Sequence, residues 1–135
     1  MLKILIADDQ LIYRETLRVV LQPHGHCVLV EDGVQAVQAF QEALVANDPF
    51  RLVLLDIQMP NMNGQEALLQ IRKMEKLRHG LSLSNCEYSY VLMQTSLDDP
   101  SQLVTAYKEG HCNGYIVKPV DQDELLERLR KHHII

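Results

Sequence analysis

No apolar run in these 135 residues approaches the roughly 20 needed to cross a bilayer. The opening MLKILIADD turns acidic too soon for a secretory leader. These absences predict a soluble, cytoplasmic chain with no membrane partner. Cysteine is sparse: Cys27, Cys86 and Cys112 are scattered, odd in number and form no CxxC pair. That argues against a disulfide framework and suits a reducing compartment. No internal repeat, low-complexity tract or linker interrupts the chain, so residues 1–135 read as one domain with one core. Met1 directly precedes the first apolar run, as at a natural start. The end at RLRKHHII suits either a stand-alone domain or one cut from a larger protein. Positive charge is also in deficit. Thirteen Lys and Arg against 18 Asp and Glu leave a formal net charge of -5, which repels nucleic acid unless cations gather in a patch. The densest basic run, Arg128, Arg130 and Lys131 with His132 and His133, ends a predicted helix and complements its dipole. No direct nucleic-acid binding is expected. The six histidines, including the pairs His24/His26 and His132/His133, lack matched partners at ligand spacing for a transition metal.

What is present is a 47% hydrophobic content arranged as short apolar runs between longer amphipathic ones. KILIA (3–7), CVLV (27–30), LVLL (52–55), YVLM (90–93) and YIV (115–117) are continuous rather than alternating, as in strands buried on both faces. Between them, Tyr13, Leu17, Val20 and Leu21 share a helical face that Pro23 and Gly25 end. Ala36, Val37, Phe40 and Leu44 form a second stripe, opened by EDG, and Leu68, Ile71 and Met74 a third, opened by NMNG. A fourth helix is predicted from Asp99 and Pro100, an acid cap followed by proline at the first helical position. A fifth starts at Asp121 with Glu124 three residues on, turning Leu125 and Leu129 inward. Five strands alternating with five helices predict an α/β fold with a parallel sheet covered on both faces. Ligands of such sheets sit beyond the carboxyl ends of the strands.

The strand ends carry the chemistry. Asp8 and Asp9 follow the first run, Asp56 the third, Thr95 and Ser96 the fourth, and Lys118 with Pro119 the fifth. Each alone is an ordinary turn or cap residue. Together they gather three carboxylates, hydroxyls and an ammonium at one sheet edge. Crowded carboxylates repel; a hard divalent cation such as Mg²⁺, or the Lys118 ammonium, offsets that.

ADD, LLDIQMPNMNG, MQTS and GYIVKP, in this order and spacing, resemble the response-regulator receiver domain of two-component signalling, over essentially the whole chain. The resemblance implies a flavodoxin-like (βα)5 three-layer sandwich with a parallel sheet of order 2-1-3-4-5. It implies that Asp56 is the phosphoacceptor, modified by a partner histidine kinase or phosphotransfer protein. Asp9 would ligate Mg²⁺ directly and Asp8 mainly through water, with Asp56 and the backbone carbonyl of Gln58 as further ligands; Mn²⁺ would substitute. Lys118 would contact the phosphoryl oxygens, Thr95 rather than Ser96 would be the switch hydroxyl, and Tyr115 the switch aromatic. The Lys118–Pro119 bond would be cis. The face from about Pro100 to the C-terminus would shift to control an unnamed effector, without small-molecule turnover.

The chain departs from the family in the stretch 73–89, longer than usual, which is read as a surface insertion or an extension of the third helix away from the site. Gln58 and the apolar Leu97 suggest a moderately long-lived phosphoryl group. A phosphohydrolase would want an acid at Gln58, and a flavodoxin-like cofactor binder would not place Asp8 and Asp9 against a phosphate. A degenerate receiver would lack part of the acid, hydroxyl and lysine set.

Overall fold

The five apolar runs are too short for helices and become parallel strands in the computed structural model, which describes residues 2–79, 88–96 and 111–135. They are β1 (Leu2–Ala7), β2 (Gly25–Val30), β3 (Leu52–Asp56), β4 (Tyr90–Thr95) and β5 (Gly114–Val117), in the order 2-1-3-4-5. This is the expected flavodoxin-like order. The register pairs Ala7 with both Val30 and Leu55, Asp56 with Gln94, and Thr95 with Val117. The carboxyl ends are therefore nearly flush, and the residue following each strand reaches the same edge.

Successive strand residues point to opposite faces. Leu5, Val53, Leu55, Val91 and Met93 pack with Phe40, Leu44, Leu68 and Ile71 on one side of the sheet. Ile4, Ile6, Leu54 and Leu92 pack with Leu17, Leu21, Leu125 and Leu129 on the other. The first side is covered by α2 (Gly33–Val45) and α3 (Gly64–His79), the second by α1 (Leu11–Leu21) and the C-terminal helix (Gln122–Lys131). None of the described helices is long and apolar enough to cross a membrane.

Helix starts follow the capping chemistry. The Asp32 carboxylate accepts the Gln35 N–H at 2.8 Å, Asn63 Oδ1 accepts Glu66 N–H at 2.9 Å, and Asp121 accepts Glu124 N–H at 3.0 Å. Pro23 closes α1 through a 3-10 turn, Gln22–His24. Residues 73–79 of the long stretch continue α3, which runs for 16 residues. Its remainder in 80–87, including Cys86, lies outside the described residues, as do Leu97 and the helix expected from Pro100. Burial pushes the Cys27 and Cys112 thiols up, away from reactivity.

Gly64 opens α3 directly against the strand it follows. Its N–H donates to the Ile57 carbonyl at 2.9 Å, and a Cβ there would overlap the Asp56 carbonyl oxygen. The obstacle is backbone, so nothing nearby swings aside. Gly64→Ala is expected to lower unfolding free energy by roughly 1–3 kcal/mol, the range for overpacking, in urea titration; an unchanged midpoint would contradict this close approach.

Candidate acidic site at the sheet edge

β1 and β3 are neighbours at the centre of the sheet, so the residues ending them meet. Asp8 is fully buried and Asp56 nearly so, while Asp9 is exposed. Carboxylate oxygens of the three lie within 4.8 Å of one another. Their backbone is fixed: Asp8 N–H donates to the Val30 carbonyl at 3.1 Å, and Ile57 N–H to the Gln94 carbonyl at 3.0 Å. Asp8 Oδ1 accepts Gln10 N–H at 2.9 Å, and Asp56 Oδ1 accepts Gln58 N–H at 3.2 Å, each closing a two-residue turn.

Lys118 reaches in from β5. Its Nζ lies 2.8 Å from Asp8 Oδ2 and 3.0 Å from Asp56 Oδ2. The Asp56 contact has hydrogen-bond geometry; Asp8 Oδ2 is ion-paired but accepts no well-angled hydrogen bond. The Lys118–Pro119 peptide is cis, and Lys118 N–H donates to the Thr95 carbonyl at 2.7 Å, tying β5 to β4 at the site.

The electrostatics follow from this crowding. Burial first, and the Asp8 charge second, raise the Asp56 carboxyl to about 6, against the opposing pull of Lys118 and the Gln58 N–H. Burial alone would push Lys118 down. Its bonds to Asp8 and Asp56 and their charges outweigh that and hold it above its ordinary value. One ammonium thus faces two buried carboxylates and an exposed third. This all-oxygen donor set, in which the buried Asp8 Oδ2 has an ion pair but no well-angled hydrogen bond, fits a hard cation such as Mg²⁺.

A cleft of about 260 Å³ opens on the group, lined by Asp9, Tyr13, Asp56, Gln58, Thr95 and Lys118, among others. Thr95 is buried, and its hydroxyl donates to the Ser96 carbonyl at 3.0 Å. Tyr115 is 43% exposed and does not line the cleft. Two participants went unforeseen. Tyr13, on the α1 face it shares with Leu17, Val20 and Leu21, holds its ring 4.4 Å from Lys118 Nζ. Arg14 Nη1 donates to the Asp8 carbonyl at 2.8 Å and its Nη2 pairs with Glu31 at 3.5 Å. Helical spacing put Tyr13 on one face with Leu17, Val20 and Leu21; it did not tell that the first turn of α1 overhangs the sheet edge. Arg14 carried no signal in the sequence beyond its charge.

The sequence profile of the response regulator receiver domain matches residues 4–130. The chain belongs to the response regulator receiver family. This receiver domain is 33% identical over 133 residues to the chemotaxis protein CheY of Listeria monocytogenes, covering 97% of this chain and 98% of that one. It is also 33% identical over 129 residues to the response regulator MprA of Mycobacterium sp. (strain KMS), covering 95% of this chain but 49% of MprA. The chain thus spans about half the length of those relatives. Among solved structures it resembles Vibrio cholerae CheY4, with TM-score 0.75 and 26% identity over 97% of this chain and 98% of that one. It also resembles the complex of Saccharomyces cerevisiae Ypd1, a histidine phosphotransfer protein, with the Ssk1 receiver domain (TM-score 0.74, 27% identity, 94% and 85% covered).

Because the folded state raises the Asp56 carboxyl, the ionised form costs the fold stability. That cost is absent below about pH 4, grows as pH rises and is complete above about pH 6. With divalent metal chelated, Asp56→Asn should therefore stabilise the protein near neutral pH. After discounting for solvent screening, the gain should be on the order of 1 kcal/mol, shrinking as the pH is lowered toward about 4. Urea unfolding at several pH values measures it; a destabilised Asn variant at neutral pH would contradict the crowding.

Proposed function

We propose that this receiver domain is the phosphoacceptor of a two-component relay, with Asp56 as the modified residue. The supporting observation is the convergence of Asp8, Asp9 and Asp56 on one another with Lys118 bridging two of them. A carboxyl raised to about 6 is still mostly ionised at neutral pH, so Asp56 is available as a nucleophile. One Asp56 oxygen attacks the phosphorus of a phosphohistidine on a sensor histidine kinase or phosphotransfer protein. The P–O bond forms as the P–N bond breaks, and the imidazole departs with that electron pair and takes up a proton. Asp8, Asp9, Asp56 and the Gln58 backbone carbonyl would hold Mg²⁺, which when bound offsets negative charge on the transferring group. Lys118, already on Asp56 Oδ2, moves with the new charge to a phosphoryl oxygen. Thr95 turns its hydroxyl from the Ser96 carbonyl to another phosphoryl oxygen, and Tyr115 moves inward from its exposed position. The face from residue 100 onward then changes its affinity for a downstream protein. Gln58 offers no general acid, in keeping with a cytoplasmic signalling module that turns over no small molecule.

The phosphodonor docks on α1 in this reading. Leu11, Ile12 and Val19 are each more than 60% exposed, and Gln10 and Tyr13 of the same segment line the acidic cleft.

Incubation with Mg²⁺ and acetyl phosphate, read by intact mass, should give a single phosphoryl adduct that Asp56→Asn abolishes. An unmodified folded native protein would overturn the assignment. Ile12→Glu should keep the acetyl phosphate adduct while slowing transfer from a phosphorylated histidine partner by roughly tenfold or more, as for a lost interface anchor.

A further inference from the structure

Buried polar side chains of this domain find partners: Asp32, Glu75, Ser89 and Thr95 each make a hydrogen bond. Gln94, on the interior strand β4 directly before Thr95, does not. Its side chain is fully buried, and among the described residues neither Oε1 nor Nε2 has a hydrogen-bond partner. A buried, unpaired amide destabilises a fold, whereas Leu or Met in its place would not. The unmodified form by itself therefore gives no reason for an amide there.

The register places Gln94 between the two halves of the central ion pair. Leu54, Leu92 and Ile116 pack on the face covered by α1 and the C-terminal helix. Asp56 lies two residues beyond Leu54 and Gln94 two beyond Leu92, so both turn to that face. Asp56 pairs in register with Gln94, and Gln94 with Ile116. Lys118 follows Ile116 by two residues and turns the same way. To bring Nζ to 3.0 Å from Asp56 Oδ2, its side chain crosses from β5 over β4, where Gln94 stands on the same face. Neighbouring strands are only about 4.8 Å apart, a gap that a glutamine side chain spans. The ammonium itself has three N–H donors and no acceptor. In the unmodified form it faces Asp8 Oδ2 at 2.8 Å and Asp56 Oδ2 at 3.0 Å, with the Tyr13 ring centre 4.4 Å away.

We infer that Gln94 is a positioning residue for Lys118: its carboxamide oxygen accepts an ammonium N–H as Lys118 leaves Asp56 for the phosphoryl group. This role rests on the phosphoacceptor reading and adds a group that biases the same site. The Lys118 side chain is only 10% exposed, so water is a poor substitute for the carboxylate it leaves. A neutral amide oxygen stabilises the moving cation without adding a fourth negative charge to Asp8, Asp9 and Asp56. Because that bond forms only once Lys118 has moved, it favours the reacted arrangement over the unmodified one. No covalent step falls to Gln94.

Gln94→Met keeps the length of the side chain and removes both polar atoms, which makes it the test. In urea the unmodified variant should unfold at a midpoint at least as high as the native protein, since no bond is lost. With Mg²⁺ and acetyl phosphate, intact mass should show its adduct forming roughly fivefold more slowly or worse, the factor for one hydrogen bond to a charged group. In a Lys118→Met background the same substitution should add no further loss, because Gln94 acts through Lys118. The NMR signals of the Gln94 side-chain amide should shift when the native adduct forms, and stay in place in Asp56→Asn treated alike. A native protein that takes no adduct overturns the phosphoacceptor reading and this role with it. With the native adduct present, four results overturn this role alone: a destabilised Met variant, an unchanged rate, an equal further loss in the Lys118→Met background, or native Gln94 signals that do not move. A water held by the amide in both forms would give the last of these.

Discussion

One ammonium held between two buried carboxylates organises this molecule. Asp8 and Asp56 are adjacent because β1 and β3 are adjacent, and their burial makes each other's charge expensive. Lys118 starts two strands from Asp56, roughly 10 Å across the sheet at the usual strand spacing, and only a long side chain spans that gap. Its contacts at 2.8 and 3.0 Å, under the Tyr13 ring, tie β5 to the centre of the sheet through charge. The apolar layers on both faces are what keep water from taking over that role.

The arrangement balances charge incompletely. Asp9 adds a third carboxylate at the mouth, and Asp56 still rises to about 6 despite its lysine. An edge left with surplus negative charge is ready for a cation. At the opposite edge a buried ion pair, Arg72 with Glu75, is satisfied.

The strands and the residues at their carboxyl ends could be read from the chain because they depend on local patterns; the strand order followed only from the family resemblance. Continuous Val, Ile and Leu runs mark strands buried on both faces, and Asp56 or Lys118 sits at a fixed offset from its run. Tyr13 was placed on its helical face but not at the site, because helical periodicity gives a face and not a depth along the sheet. The bonds from Arg72 to the His111 carbonyl and Asn113 were invisible because only the strand order brings those residues together. The extension of α3 through His79 rests on Arg72 and Glu75 fastening that helix to Ser89, a contact between distant residues.

The loop after Asp56 is bolted to α2. Gly33 N–H donates to the Met62 carbonyl at 3.0 Å, Asn61 Nδ2 donates to Asp32 Oδ2 at 2.8 Å, and a Cβ on Gly33 would strike Met62. On the other side, the Thr95 carbonyl accepts Lys118 N–H at 2.7 Å, which joins β4 to β5. A load placed on the Asp56 carboxylate therefore meets a stiff wall toward α2, set by those fasteners before any partner arrives.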